Sequence, residues 1–530
     1  MRVKLRPGTH FAPVPQGIYW TRAGRSFLLT APAGLYLALD SQLDLLTRGT
    51  DVDELATALG ESARPAVQRI LDTLLDRDML LDLDRAGAPP APGEADRYAE
   101  VLSYLEAHCA DPYRVFARLR ATVVPVLGDG PAAAVARRTI TGYGAAATAT
   151  VPPGADLVVL VDDADRPLDL VAAAASLPAG TRVVPVHAGR RIALVGSPET
   201  GGLAEFVALA RRAGDWAAAE PDGAAPRPLS AVLAGSLATH AVLGALTGTL
   251  PAEPAPSLVH GHDVQVQRLP RSPVPAAGDT PEAMLDRLGP LLARWTGPYR
   301  RDRDLDLAQM PMSLATAELV AGRGRVAGWG DDRAQAVLSV CLAAARAAVG
   351  PAATGIAAAG PTLGHWRADG ALRLLGAALL ATSTGTATSW EDLPAAARTL
   401  WSLLDEHYER AVRVRSHPLP GLDWVLVEVT SADGTVRAAE WGETLELAAW
   451  AALSAAVAQA QATPEVHALL AADRVGTHRL AQTAGDRLRR LTDQLDALLA
   501  ARGERIAGEP DAPDPVVGDA PLVSGPVVLR

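Results

Sequence analysis

The sequence predicts a multidomain α/β protein: a small N-terminal winged-helix module, a central Rossmann-like domain and a larger C-terminal α+β domain. Three observations predict it. The first 84 residues run as short extended pieces followed by three amphipathic helical stretches. Residues 123–140 read as a strand, a glycine turn and a helix. Two passages of the last half, 323–348 and 438–461, each place a Trp-Gly pair ahead of an alanine-rich helix. At 530 residues the chain has room for about three domains with ample cores.

In the N-terminal module the extended pieces at 9–13, 17–20 and 25–29 are separated by Pro15-Gln16-Gly17 and Arg22-Ala23-Gly24, which are turn signals. Helices follow at 33–46, 52–59 and 64–76. Leu35, Leu39, Leu43 and Leu46 recur at helical spacing in the first, and Val67, Ile70, Leu71 and Leu74 give the last an apolar face. Asp51 and Ser62 stand where N-caps are expected for the second and third helices. A strand at 79–83 closes the unit.

This β-β-β-α-α-α-β order resembles the PqqD-like RiPP recognition element, a module that binds leader peptides of ribosomally made natural products. The resemblance implies β-augmentation: the leader adds as a strand to the ribbon edge and packs on the last helix. It places Phe27, Leu28, Leu29 and Thr30 on the strand side of the groove and Gln68, Arg69, Asp72 and Thr73 on the helix side. For Leu28 and Leu29, packing in the module's own core is an equal alternative. DNA binding, the other use of a winged helix, is disfavoured because Arg64, Arg69 and Arg77 alternate with Asp72, Asp76 and Asp78.

Forty-nine basic against sixty acidic residues give a net charge of −11, which excludes general affinity for nucleic acid or anionic membrane. Cys109 and Cys341 are the only cysteines and form no CxxC, so neither a disulfide framework nor a cysteine zinc site is expected. Residues 1–5 lead directly into the ribbon without a signal-peptide pattern, and a cytoplasmic location is expected.

A Pro/Ala/Gly-rich linker at 86–94 and a helix near 98–108 lead to the second domain. There Gly128-Asp129-Gly130-Pro131-Ala132-Ala133 joins a strand at 123–127 to a helix at 134–140. The turn reads either as a phosphate cradle or as a plain βα closure, since Ala133 holds the third glycine's place. Further strands at 156–161, 182–187 and 191–195 and a long apolar helix at 229–246 complete an order similar to the E1-like, or ThiF-like, fold. Active members of that family adenylate a carboxylate, yet this chain lacks the full glycine signature, the paired CxxC motifs and a reactive cysteine, so adenylation is expected to be lost. His260-Gly261-His262-Asp263 is read as a polar loop rather than a metal site.

A Pro-rich joint at 269–275 introduces the last domain. Gly328-Trp329-Gly330 with the helix at 337–348, and Trp441-Gly442 with the helix containing Ala452-Leu453-Ser454-Ala455-Ala456, resemble the YcaO domain, the ATP-dependent cyclodehydratase that makes azolines from Cys, Ser and Thr. The resemblance implies glutamates holding Mg²⁺ on these helices, where this chain has Ala343, Arg346 and Ala455. The tail at 510–526 lacks the family's PxPxP ending. Asp405, Glu406 and Glu409, on a helix expected at 400–410, read as a solvated face, with Glu406–Arg410 and Glu409–Arg413 at ion-pair spacing.

Together these parts divide the chain into a recognition element (1–86), a linker and helix (87–116), a degenerate E1/ThiF-like domain (117–275) and a degenerate YcaO-like domain (276–530). That combination resembles the E1-like, ocin-ThiF-like or F-type, leader-binding partner of thiazole/oxazole-modified and thiopeptide-type pathways. The resemblance implies a required non-catalytic subunit with no cofactor of its own. It would capture the precursor leader and dock a separate YcaO cyclodehydratase, to which ATP and Mg²⁺ belong; a homodimer within a larger complex is compatible. Eight of the ten tryptophans lie from Trp295 onward, either as a Trp- and Ala-rich docking surface or as core. The competing class is an enzyme in its own right, a cyclodehydratase or an adenylating enzyme using Asp129, Asp162 and Asp165.

Overall fold

Ala23 and Gly24 both hold positive φ, 48° and 78°, the conformation of a two-residue turn that matches strand twist. They close a hairpin in a computed structural model that describes every residue except 199–202, 221–228, 252–254, 270–280, 302–306, 323, 351–354, 383–384 and 519–520. The chain divides into two units, Met1–Leu203 with Gly223–Pro270, and Ala204–Asp222 with Arg271–Arg530. The proline-rich joint at 269–275, apart from Leu269, lies outside the described residues.

The first unit opens with β1 (Arg2–Leu5), β2 (His10–Val14), β3 (Gly17–Arg22) and β4 (Arg25–Thr30), then α1 (Ala33–Asp40), α2 (Leu43–Arg48), β5 (Thr50–Asp51), α3 (Val52–Leu59), α4 (Arg64–Asp76) and β6 (Leu80–Asp82). The ribbon β2-β3-β4 is present as expected, and β1, which the sequence reading missed, pairs with both β5 and β6. The helix expected at 33–46 is two helices, broken where Ser41 turns back to donate to the Ala38 carbonyl. Asp51 caps α3 by accepting from the Glu54 N–H, whereas Ser62 caps nothing and lies in a 3₁₀ turn, Glu61–Ala63, ahead of α4. Val3, Ile18, Trp20, Leu46, Leu71 and Leu74 form a core of this module's own. Two buried arginines tie it to the next helices, α5 (Pro92–Arg97), α6 (Ala99–His108) and α7 (Pro112–Ala121). Arg6 donates to the Glu106 and Cys109 carbonyls and Arg22 to the Ala107 carbonyl, at the C-terminal end of α6 where backbone acceptors lack helical partners.

The rest of this unit comprises β7 (Val123–Leu127), α8 (Pro131–Gly142), β8 (Ala146–Thr148), β9 (Leu157–Asp163), α9 (Leu170–Ala175), β10 (Arg182–Ala188) and β11 (Ile192–Val195). After α10 (Leu203–Ala219), which from Ala204 on belongs to the second unit, come α11 (Leu229–Thr247), β12 (Ser257–His260) and β13 (Val266–Arg268). Seven strands form one sheet in the order β13-β12-β11-β10-β9-β7-β8, parallel from β8 to β10 and antiparallel beyond. By length and composition α11 is apolar enough to cross a membrane. It packs on α8, so closely that a Cβ on Gly235 would stand 2.4 Å from the Ala132 carbonyl oxygen.

The second unit repeats one local device. It contains α12 (Pro281–Leu288), β14 (Tyr299–Arg301), β15 (Ser313–Leu319), β16 (Arg325–Gly330), α13 (Arg333–Val349), β17 (Ile356–Gly360), α14 (Leu363–Thr382) and β18 (Thr386–Ala387). Then follow α15 (Ala395–Ser402), β19 (Val412–Pro418), β20 (Val425–Ser431), β21 (Arg437–Gly442), α16 (Leu445–Gln461), α17 (Pro464–Ala471), α18 (Gly485–Ala501), β22 (Ile506–Gly508) and β23 (Val523–Leu529). β16, β17 and β21 each end in a glycine against the first turn of the following helix. A Cβ on Gly330 or Gly442 would stand 2.4 Å from the amide nitrogen of Ala336 or Ala448, and one on Gly360 would stand 2.7 Å from that of Trp366. Asp332 and Thr444 cap α13 and α16.

The Pro-rich tail is not merely a tail, because β23 lies between β17 and β22 with Val527 buried. The helix expected at 400–410 is instead α15 followed by a π-turn ending at His407. Glu409 has φ of 53°, which takes it off any helix face, and Arg410 pairs with Asp433 rather than Glu406. Trp295, Trp329, Trp366, Trp424 and Trp441 are buried, so the core alternative holds for most of these tryptophans, and Trp390 is about one-third exposed.

Candidate functional site

Among the described residues β4 bonds to β3 alone, which leaves its other edge without a strand partner. In a hairpin closed by a two-residue turn, the flanking pair exchanges both hydrogen bonds and every second pair does so again. Arg22–Arg25, Trp20–Phe27 and Ile18–Leu29 are therefore the bonded pairs. The backbone N–H and C=O groups of Ser26, Leu28 and Thr30 point to the free edge.

Side chains alternate across this strand. Phe27 and Leu29 pack toward the module core, whereas Leu28, 45% exposed, and Thr30 lie on the opposite face beside Tyr19. The Arg77 guanidinium lies over the Phe27 ring, 5.4 Å from its centroid, and marks the flank of α4 next to β4. Ala66, Ile70 and Thr73 share that flank by helical spacing, and Arg69 borders it. Gln68 donates to Asp72 at 2.8 Å on the other flank. The strand thus offers the backbone of Leu28 and Thr30 at its edge, and Arg77 over Phe27 is the contact that brings the end of α4 to it; Arg69 and Asp72 are exposed on α4, with Gln68 and Thr73 half-buried.

The glycine turn lies between β7 and β9, where strand order reverses and doubly wound sheets bind ligands. Gly128 and Gly130 have φ near 100° and 92°. The Asp163 carboxylate rests against Gly130, only 2.3 Å from where a Cβ would be. A buried anion at this place opposes a phosphate, which favours the plain βα closure. The three aspartates of the adenylating alternative are each engaged separately: Asp162 with His187 at 2.7 Å, Asp165 with Arg190 at 2.8 Å and Asp129 with Arg166 at 3.6 Å. His260 bonds Asp263 at 2.9 Å, and no group of three or more metal-ligating side chains is placed to hold an ion among the described residues.

The second unit contains a cavity of about 340 Å³ that Ala343 and Arg346 of α13 and Ala455 of α16 all line, together with Arg373 of α14, Glu440 and Asp473. Asp473 accepts a hydrogen bond from one Arg373 nitrogen at 2.6 Å, forms an ion-pair contact with the other at 2.6 Å, and lies 3.4 Å from Arg346. Asp369 is buried behind them, 3.9 Å from Arg346, and accepts from Thr477 and from the Ala359 N–H. A hard divalent cation needs several free carboxylate oxygens at one point. Here Asp473 is held by two guanidiniums, which leaves Glu440 as the other acid of the lining, and the residues do not fit the ion. No spacing signal reveals this, since Arg373 and Asp473 stand 100 residues apart.

Burial holds the Glu440 carboxyl up at about 8 although the His478 N–H donates to it, and burial, reinforced by Arg479, pushes His478 down to about 4. Where an acid's folded pKa exceeds its unfolded one, the folded state binds more protons, and stability falls as pH rises between the two. His478 acts oppositely, adding stability as pH rises from about 4 to 6.5. Between pH 6.5 and 8 only Glu440 of this pair titrates, at a cost of about 2 kcal/mol. Glu440→Gln is expected to flatten that decline in urea-unfolding curves taken across the window; an unchanged slope would refute the assignment.

No family model matches the sequence, and no curated protein matches it. Among solved structures, a heterocyclase in complex with substrate and cofactor matches at 13% identity and TM-score 0.64, covering 100% of this chain and 94% of that one. The heterocyclase TruD matches at 13% identity and TM-score 0.59, covering 99% and 94%. E. coli MccB with ATP matches 52% of this chain and 99% of its own at 13% identity and TM-score 0.35, too slight a likeness to argue from. Over its length, this chain shares the fold of these heterocyclases.

Proposed function

We propose that this chain is the leader-binding, non-catalytic subunit of an azoline-forming cyclodehydratase complex in thiopeptide-like RiPP biosynthesis. The leader adds to β4 as a further strand, and the chain presents the Cys, Ser and Thr residues that follow to a separate ATP-dependent YcaO enzyme. Holding both on one body raises the effective concentration of the core peptide at the partner's site. The setting proposed is the cytoplasm.

One observation carries the non-catalytic part of this reading. Ala343, Arg346 and Ala455 converge on a single cavity in which Asp473 is already paired with Arg346 and Arg373. In the YcaO family these places supply Mg²⁺ ligands, and ATP and Mg²⁺ are therefore assigned to the partner. The free edge of β4 supports the capture part.

A second reading, that the chain is itself an ATP-using cyclodehydratase or an E1-like adenylating enzyme, is favoured by its whole-length likeness to heterocyclases. Phosphate release from Mg-ATP by the purified chain with a candidate precursor peptide, with and without a separate YcaO enzyme, separates the two. Turnover is expected only with both proteins present. Turnover by this chain alone would establish the second reading.

A further inference from the structure

Among the described residues β16 pairs with β15 on one side and with no strand on the other. The Leu319 N–H bonds to the Gly324 carbonyl, and alternation from there makes Ala317–Val326 and Ala315–Gly328 the bonded pairs. Ala327, between them, therefore turns its N–H and C=O away from β15, on a stretch of strand that lines the cavity of about 340 Å³. Ala327 is buried, and buried backbone groups are almost always paired. Two other strands show how this chain pairs such groups. Gln459 of α16 accepts from the Arg437 N–H at 3.1 Å and donates to the Arg437 carbonyl at 3.0 Å, at the edge of β21. Beside β15, Gln461 likewise accepts from the Met312 N–H at 3.2 Å and donates to its carbonyl at 2.6 Å. In both places a side-chain amide takes the position of a neighbouring strand. Among the described residues no amide side chain is bonded to Ala327 in this way.

We infer that this cavity binds an uncharged carboxamide with an apolar body, whose C=O and N–H pair with Ala327 as the Gln459 amide pairs with Arg437, and that it does so without a divalent cation. The volume lies within the range of small-molecule sites. Leu338, Leu342, Ile356 and Leu470 supply an apolar wall. The charges nearby are already balanced: Arg346 and Arg373 face Asp473, with Asp369 behind them. Glu440 keeps its proton up to about pH 8 and His478 stays neutral above about 4, so neither adds a charge at neutral pH. An ionised ligand would meet no unpaired counter-charge there, and its desolvation would go uncompensated. The N–H and C=O of one residue in an extended peptide lie on the same edge, so the ligand is either such a residue or a free small amide of the same shape.

Isothermal titration calorimetry of the full-length protein in EDTA tests this, with N-acetyl-leucine N′-methylamide as the probe. The uncharged probe is expected to bind, and N-acetylleucine, an anion, and leucine N-methylamide, a cation, to bind about ten-fold more weakly or worse. Ala327→Pro removes the outward donor and leaves the β15 ladder intact. Ala343→Phe fills the cavity from α13, and because Ala343 is only half-buried this variant serves even where proline disturbs β16. Both are expected to abolish binding while circular dichroism shows a folded chain. N-acetyl-Ala-Leu-Ala-amide separates the two sources: binding about ten-fold tighter than blocked leucine assigns a peptide strand to the site, and equal binding a free small amide. No binding of either uncharged probe, tighter binding of a charged one, or undiminished binding by a folded variant would overturn the inference. None of these results bears on leader capture at β4.

Discussion

Replacing Leu28 by proline is expected to weaken leader binding about 10- to 100-fold without unfolding the module. Leu28 belongs to a non-bonded pair with Tyr19, so its N–H takes no part in the β3–β4 ladder. Proline is tolerated on an edge strand where the missing donor faces outward. A peptide lying against β4, however, loses that donor and meets the pyrrolidine ring in its place. Leu29→Pro is the contrasting control, because the Leu29 N–H bonds to Ile18 inside the ribbon, and that variant is expected to lose stability as well. Fluorescence anisotropy for binding and circular dichroism for folding distinguish the two. Undiminished leader binding by a folded Leu28→Pro chain would remove β4 as the docking edge.

Removing Asp473 carries the next largest effect. Asp473→Ala leaves Arg373, a buried guanidinium, without its carboxylate partner and its shortest hydrogen bond. Breaking a buried pair from one side costs about 3–5 kcal/mol, and since Asp473 is itself partly exposed, about 2–3 kcal/mol of unfolding free energy is expected to be lost. The double variant Arg373→Met with Asp473→Ala removes both charges and is expected to recover part of the loss. Denaturant unfolding followed by tryptophan fluorescence reads this, since Trp329 and Trp441 lie in the same unit. A neutral Asp473→Ala would show that the guanidiniums do not depend on this acid, and with it the reason given for excluding a cation would fall.

Much of the N-terminal module was legible because its signals are local. The turn at Ala23-Gly24, the Asp51 cap and the apolar face of α4 depend on residues within a few positions of one another. The same locality misled at 33–46, where leucine spacing continues through a break that only the backbone shows. At the C-terminus no strand was read from the Pro-rich tail, and yet β23 pairs on both sides with Pro526 within it. The glycines of β16 and β21 were noticed as a motif, but their reason, a helix lying directly on the strand end, appears only in three dimensions.

By itself, the sequence determined the order of elements, the net charge, that Ala, Arg and Ala stand at positions 343, 346 and 455, and the presence of a ribbon followed by an amphipathic helix. Each of these is a property of residue type or of short-range periodicity. Only the tertiary structure decided which backbone groups of β4 remain free, which flank of α4 faces them, that Asp163 lies on the glycine turn and that Asp473 is held by Arg346 and Arg373. Those are matters of strand register and of contacts between residues up to 127 positions apart, and a linear pattern carries no signal for either.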